Sequence, residues 1–154
     1  MAFLSTINII GSGLTAQHLR LDVISENVTN INTTRTEAGG PYRRKMVVFE
    51  TMGERRDTFR EVMARARNGV VSNRGQENTG GVRVIEIAED PTDFKLKYDP
   101  TDPDANEDGY VELPNVDLVK EITDAMAASQ SYSANVTTFN VIKNVISSGM
   151  EIGR

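Results

Sequence analysis

Residues 7–31, INIIGSGLTAQHLRLDVISENVTNI, carry the repeat that decides the fold. Apolar residues recur every seven positions, and a second apolar row lies three positions after the first, which is the pattern of a coiled-coil helix. The first row is Ile7, Leu14, Leu21 and Val28, and the second is Ile10, Ile24 and Ile31. Gln17 takes the remaining place in the second row, where a buried amide would specify the register of a helix pair. We predict one long helix that ends near residues 30–32, where Asn and Thr side chains compete for backbone hydrogen bonds.

A second heptad follows Asp117 and continues to about residue 150. Its first row is Leu118, Ala125, Tyr132, Phe139 and Ile146, and its second row contains Ile122, Val136 and Met150. Ser129 and Lys143 interrupt the second row. Asp117 suits the N-cap position of this helix, which would be about 50 Å long at 1.5 Å per residue. The sequence therefore predicts two long helical arms, one at each end.

Between the arms, the helical period gives way to the alternation that is typical of strands. Strands are predicted in YRRKMVVFE (42–50), GGVRVIEIAED (80–90), FKLKYDP (94–100) and YVEL (110–113), with a turn at NEDG (106–109) and a short helical insertion near 57–68. The predicted fold class is α+β, in which long N- and C-terminal helices pair as a coiled coil and a small β-rich middle module carries the insertion. The predicted divisions of the chain are 1–34, 35–113 and 114–154.

Two motifs imitate ligand-binding sequences. Gly11, Gly13 and Ala16 match a dinucleotide-binding fingerprint, but that fingerprint needs a second strand ending in an acidic residue about 20 positions later, and the sequence there is NVTNINTTRT. Residues 104–115, DANEDGYVELPN, match the first positions of an EF-hand loop, but Asn115 stands where a bidentate glutamate is required. We expect no cofactor and no metal, with a calcium-binding module as a minor alternative.

The composition argues against an enzyme. The 154 residues include no cysteine and one histidine, His18, which removes thiol nucleophiles, disulfides and most histidine-based sites. No apolar run approaches the ~20 residues of a membrane span, so composition alone suggests a cytoplasmic protein. Charge is segregated, with a local +4 over residues 35–67 and a local −10 over residues 86–124. This distribution favours a solvated surface, or contact between related subunits, over nucleic-acid binding.

Two longer segments carry a family resemblance. GLTAQHLRLDVISENVTNINTT, followed by GGPYRRK, resembles the N-terminal signature of flagellar rod and hook proteins, and DPDANEDGYVELPNV with the second arm resembles the C-terminal part of their proximal-rod members. The resemblance implies a structural, non-enzymatic subunit of the bacterial flagellar basal body, part of the drive shaft that transmits torque and encloses the export channel. It implies export by the flagellar type III apparatus without a cleaved signal peptide, into the rod that crosses the periplasm. This location replaces the cytoplasmic expectation.

The implied partners are copies of the same chain, the rod proteins FlgB, FlgF and FlgG, and the rod adaptor FliE. The arms are longer than a small domain requires, so we predict that their apolar rows pack between subunits and become ordered on assembly. The predicted interface residues are Ile7, Leu14, Leu21, Ile24, Val28, Ile31, Leu118, Ile122, Tyr132, Val136, Phe139 and Ile146. The alternative is that the arms pair within one subunit, as in a self-contained cytoplasmic coiled-coil adaptor.

Overall fold

The computed structural model describes residues 2–37, 39–52, 63, 67 and 80–152. The N-terminal helix α1 comprises Ala2–Thr29. It ends where the Asn30 side chain donates to the carbonyl oxygen of Glu26 at 2.9 Å and two turn residues follow. The predicted end near residues 30–32 is confirmed, and side-chain competition for a backbone acceptor accounts for it.

Two strands, β1 (Lys45–Thr51) and β2 (Val82–Glu89), form an antiparallel pair with an irregularity between Val48 and Phe49. This pair packs along α1, from Ser12 beside Val82 to Asn27 beside Lys45. The Val82 amide donates to the Ser12 hydroxyl at 3.1 Å, and a β-carbon at Gly81, whose φ is +142°, would lie 2.6 Å from that hydroxyl. A glycine at position 81 is therefore what permits the sheet to approach the helix this closely.

Two shorter strands, β3 (Lys95–Tyr98) and β4 (Tyr110–Leu113), form a second antiparallel pair. The chain turns back into β4 at residues 106–109, as NEDG predicts. Gly109 adopts φ +80° and its amide donates to the Asn106 carbonyl at 2.9 Å, while the Asn106 side chain accepts from the Tyr110 amide at 2.8 Å. An asparagine that bonds the backbone ahead of it, and a glycine in the left-handed region, give this turn its shape.

The C-terminal helix α2 comprises Leu118–Ile152 and contains 35 residues, so it is about 50 Å long. Asp117 caps it as predicted, accepting from the Val119 amide at 3.0 Å. Helix α2 runs antiparallel to α1, because Asn27 near the end of α1 bonds Glu121 near the start of α2, while Gly13 lies against Asn135. The two terminal arms thus pair within one chain.

The apolar core is small and lies where α1, the sheets and the first half of α2 meet. The buried apolar side chains are Ile10, Ala16, Val23, Ile24, Tyr42, Val111, Val116 and Ala128. The α+β fold class and the four strands are confirmed, with β1 beginning at Lys45, three residues later than the predicted stretch. The predicted helical insertion near 57–68 lies outside the described residues apart from Met63 and Arg67.

The two motifs that imitate binding sequences serve other purposes in this fold. Gly11 and Gly13 lie inside α1, which begins at Ala2, so no strand precedes them as a dinucleotide fold would require. Within the described ranges, no group of three or more acidic, histidine or cysteine side chains is arranged to hold a metal ion. Over the same part of the chain, no helix is both long enough and apolar enough to span a membrane.

Candidate assembly surface

A buried ionic cluster, here called the polar joint, connects the two helices to the sheets. It consists of Arg20, Asn27, Tyr42, Arg44, Asp90, Glu121 and Asp124. Arg44 is 6% exposed and Glu121 is 0% exposed. The Arg44 guanidinium donates from Nε to Glu121 at 2.6 Å, from Nη1 to Asp90 at 3.4 Å and from Nη2 to Asp124 at 3.3 Å. One planar cation therefore binds two carboxylates from α2 and a third from the residue that follows β2.

Asn27 satisfies the remaining polar groups on the α1 side of the joint. Its amide nitrogen donates to the Lys45 carbonyl at 2.9 Å and to Glu121 at 3.0 Å. Its amide oxygen accepts from the Lys45 amide at 2.9 Å and from the Tyr42 hydroxyl at 3.0 Å. Both donors and both acceptor sites of this buried side chain are in use. Asn27 thereby ties α1 both to the segment entering β1 and to α2.

A second asparagine, Asn115, stabilises the start of α2 through hydrogen bonds. Asn115 accepts from the Arg44 amide at 2.7 Å, and its own amide nitrogen donates to the Thr92 carbonyl at 3.1 Å and the Thr92 hydroxyl at 3.0 Å. Asn115 is the residue that disqualifies the EF-hand motif. Its amide offers donors as well as an acceptor, and this structural bonding uses both.

The electrostatics of the joint follow from burial and pairing. Burial alone lowers the pKa of Arg44, but its hydrogen bonds and charge pairs with Glu121 and Asp90 outweigh that effect and raise the pKa above the ordinary value. Hydrogen bonds from Thr92, followed by the Arg44 charge, lower the pKa of Asp90. Burial, and then the charges of Glu26 and Glu121, raise the pKa of Tyr42 to about 12. The joint is therefore built for charged Arg44 and Asp90 and a neutral Tyr42.

The joint residues occupy a helix face that the apolar heptad did not predict. Helix α1 contacts α2 at Gly13, Arg20 and Asn27, which are seven apart, and Arg20 donates to Asp124 at 3.0 Å. Glu121, Ala128 and Asn135 form the matching seven-residue row on α2. The apolar period does not predict these rows, because most of their residues are polar or small. The sequence does contain a sign of this contact. Small and polar residues recur every seven positions in both arms, with a basic residue in one arm and an acidic residue in the other.

The predicted interface residues on α1 are placed beside this contact row. Ile24 is buried, at 7% exposure. The other predicted residues on or just after α1 are half-buried: Ile7, Leu14, Leu21, Val28 and Ile31. Gln17, predicted as a buried amide, is half-buried, and its Oε1 atom is buried with no hydrogen-bond partner among the described residues. One predicted row thus belongs to the interior, and the other flanks the helix pair.

On α2, some of the predicted interface residues are half-buried and others are exposed. Tyr132, Val136 and Ile146 are half-buried, whereas Leu118, Ile122 and Phe139 are 45%, 49% and 38% exposed. Further large apolar side chains on α2 are also exposed, namely Val119, Met126, Val141, Val145 and Met150. A helix that leaves so many apolar side chains in solvent is typical of a surface that another protein covers.

Tyr132 also lines a cleft between the two helices. The cleft has a volume of about 410 Å³ and is otherwise lined by α1 side chains, Leu14, Thr15, His18, Leu19 and Asp22. His18 and Asp22 pair at 3.0 Å on its exposed side. Leu14 and Tyr132, each from the first predicted apolar row of its helix, therefore lie at one concave surface.

Comparison with known proteins places both helices within described families. The flagella basal body rod protein family matches residues 7–35, and the C-terminal family of flagellar basal body rod FlgEFG proteins matches residues 107–152. Flagellar basal-body rod protein FlgC of Bacillus subtilis is 44% identical over 158 aligned residues that cover 100% of both chains. FlgC of Borreliella burgdorferi is 43% identical over 99% of this chain and 98% of that protein, and FlgC of Escherichia coli is 37% identical over 100% of both.

Proposed function

The chain belongs to the FlgC family of flagellar basal-body rod proteins, and we propose that it polymerises through the outer surfaces of its paired terminal helices. It is a structural subunit of the bacterial basal-body rod. Both family matches fall mainly on the helices and their connections to the sheets. This position of the family matches supports a role for the helix pair in assembly.

The observation that carries this proposal is the exposed apolar surface of α2. Val119, Ile122 and Met126 are 74%, 49% and 69% exposed and fall at intervals of three and four, so they lie along one helix face. Burying such side chains against a neighbour contributes roughly 1.5–3 kcal/mol each. A continuous row of them supplies a driving force for association that the isolated subunit does not use.

The half-buried row of α1 continues the proposed surface. Leu14, Leu21 and Val28 lie seven apart and flank the contact row with α2, so a neighbouring helix is able to pack into the groove beside them. Within the rod, such packing would build the wall that transmits torque and encloses the export channel. The proposed neighbours are copies of this chain, FlgB, FlgF and FlgG, and the adaptor FliE. Catalysis forms no part of the proposed role.

The test is a charge placed on the exposed face of α2. Ile122→Asp should abolish swimming in a bacterium whose own FlgC is replaced by this chain, because assembly would bury an unpaired carboxylate. Gln130→Asp is the matched control, since it puts the same charge on an exposed polar position of the same helix. Cellular level and circular dichroism of each variant show whether it folds. Normal swimming by a well-folded Ile122→Asp variant would contradict the proposal.

A further inference from the structure

The hairpin of β3 and β4 has an outer face that no described residue covers. Leu96 pairs with Glu112 and Tyr98 pairs with Tyr110, so these four side chains point to the same side. Leu96, Tyr98 and Tyr110 are 64%, 65% and 41% exposed. The opposite side of the hairpin carries Val111, which is 2% exposed. One face of this small sheet is packed against the fold, and the other presents two aromatic rings and a leucine to solvent.

The two rings form a preorganised surface. The Tyr98 and Tyr110 centroids are 5.2 Å apart with an interplanar angle of 66°, an edge-to-face arrangement. Gly109, at φ +80°, brings the turn so close that a β-carbon there would lie 3.1 Å from the Tyr98 ring. The tyrosines are held by each other and by the turn, so a ligand that stacks on them loses little conformational entropy from this face.

The charge around the face is mainly negative, and part of it is unpaired among the described residues. Both hairpin lysines are engaged, since Lys95 donates to the Val116 carbonyl at 2.7 Å and Lys97 to Asp99 at 3.1 Å. Among the described residues, by contrast, no side chain pairs with the carboxylates of Glu107 or Glu112. Tyr110 and Glu112 also line a cleft of about 360 Å³ beside the segment around Gly39 and Gly40. Arg35 lines the same cleft, but it lies 3.9 Å from Asp104 and does not pair with Glu112.

Aromatic rings beside free carboxylates select for arginine. A guanidinium stacks on a tyrosine face while its N–H groups pair with a carboxylate, which an ammonium group does less well. The chain itself contains a segment of this chemistry, because residues 55–67 include five arginines, at positions 55, 56, 60, 65 and 67. We propose that the outer face of the β3–β4 hairpin binds the 55–67 segment of a second copy of this chain.

The position of the two parts in the fold favours a second copy over the same chain. Met52 and Gly80, which precede and follow the segment in the chain, both lie near the N-terminal end of α1, because the Met52 amide donates to the Gly81 carbonyl at 2.8 Å and Gly80 lies beside Ile9. The hairpin lies beyond the other end of α1, where the Thr34 hydroxyl donates to Asp104 at 2.8 Å. From Ser12 to Thr29 alone, α1 spans about 25 Å. A hairpin at one end of a subunit that binds a segment attached at the other end makes a head-to-tail contact, and such contacts generate open helical assemblies.

The contact does not depend on the helix surface of the proposed function, because it uses different residues. Cross-linking tests it directly, since the chain has no cysteine of its own. Two separately tagged full-length variants, Thr58→Cys and Leu96→Cys, are mixed and oxidised, and covalent heterodimers are followed on non-reducing gels. Ser147→Cys replaces Leu96→Cys in the control, because Ser147 is exposed on the far part of α2. We expect heterodimers with Leu96→Cys to form about tenfold faster than with Ser147→Cys, and about 0.5 M NaCl to remove most of the difference.

Charge reversal then separates this contact from chance collision. Adding Glu107→Lys and Glu112→Lys to the Leu96→Cys chain should reduce cross-linking about fivefold or more, because the carboxylates that attract arginine become repulsive. Equal rates for the hairpin and control pairs would overturn the proposal. A double variant, Thr58→Cys with Leu96→Cys, that closes within one chain at high dilution would also overturn it, since the occupant would then be the chain's own segment. Failure of Ile122→Asp to affect swimming leaves these outcomes unchanged.

Discussion

The two ends of helix α2 differ in how deeply their side chains are buried. Near its start, Glu121 and Ala128 are completely buried, and Glu121 bonds Arg44 and Asn27. Past Ala128, no residue of the described part of α2 is buried, and Val145 and Met150 are 64% and 71% exposed. Buried polar groups therefore anchor the first end within the subunit, although Val119 and Ile122 on its outer side are exposed. Past Ala128, no buried side chain anchors the described part of the helix, and large apolar side chains remain in solvent.

The largest expected effect comes from removing the carboxylate at the enclosed end. Glu121→Leu leaves the Arg44 guanidinium buried without its shortest ion pair, and we expect the free energy of unfolding to fall by about 3–5 kcal/mol. Urea unfolding followed by circular dichroism measures the change.

The matched control makes the same substitution in the same helix at the other end. Glu151 is exposed, so Glu151→Leu should change stability by less than about 0.5 kcal/mol. A similar, small loss in both variants would show that the two ends of α2 do not differ as described.

A smaller effect should appear at alkaline pH through Tyr42. Its pKa is raised to about 12 in the folded chain, against about 10 when unfolded. The folded state therefore holds this proton more tightly, and the stabilisation is complete below pH 10 and lost as the pH rises from about 10 to 12. We expect the free energy of unfolding to fall by about 2–3 kcal/mol between pH 10 and pH 12.

Tyr42→Phe isolates this contribution. At neutral pH the variant should be about 1 kcal/mol less stable, because the hydrogen bond to Asn27 is lost. Between pH 10 and 12 its stability should decline less than that of the parent chain, so the difference between the two narrows or reverses. Parallel alkaline unfolding curves would contradict burial of the phenol in the joint.

The smallest effect concerns two glycines of α1. A β-carbon at Gly11 would meet no atom within 4 Å, whereas at Gly13 it would lie 3.1 Å from the Asn135 amide nitrogen. Gly11→Ala should therefore raise the free energy of unfolding by about 0.5–1 kcal/mol through better helix propensity. Gly13→Ala should raise the free energy of unfolding by less, because the Asn135 side chain has to move. An equal gain at both positions, measured by urea unfolding, would argue against close contact of the helices at Gly13.

Much of this architecture was predictable from local signals. Asn30 ends α1, Asp117 caps α2 and NEDG turns the chain into β4, and each acts on backbone groups within four residues of itself. Local hydrogen bonding of this kind does not depend on the rest of the fold. Sequence alone also identified the strands and the two arms, because periodicity reports which element a segment prefers.

The contact row between the helices was not predictable in the same way. A periodic apolar pattern indicates which side of a helix avoids water, but Arg20, Asn27 and Glu121 are residue types that are seldom buried. Their burial depends on partners up to 104 positions away, as between Arg20 and Asp124. The assignment of individual apolar residues to the subunit interface stays a prediction.

The amino-acid sequence by itself determined the elements and their order, since propensity, capping and period are properties of neighbouring residues. Tertiary structure alone decided which helix faces meet. Arg44 lies just before β1, and its buried guanidinium has its counterions in Asp90, Glu121 and Asp124. Two of these carboxylates belong to α2, so a polar face of that helix is turned toward the interior. The first apolar row of α1 flanks the helix pair, and that of α2 is half-buried or exposed. Ion pairs between distant parts of the chain are a property of the fold, and the heptad period does not encode them.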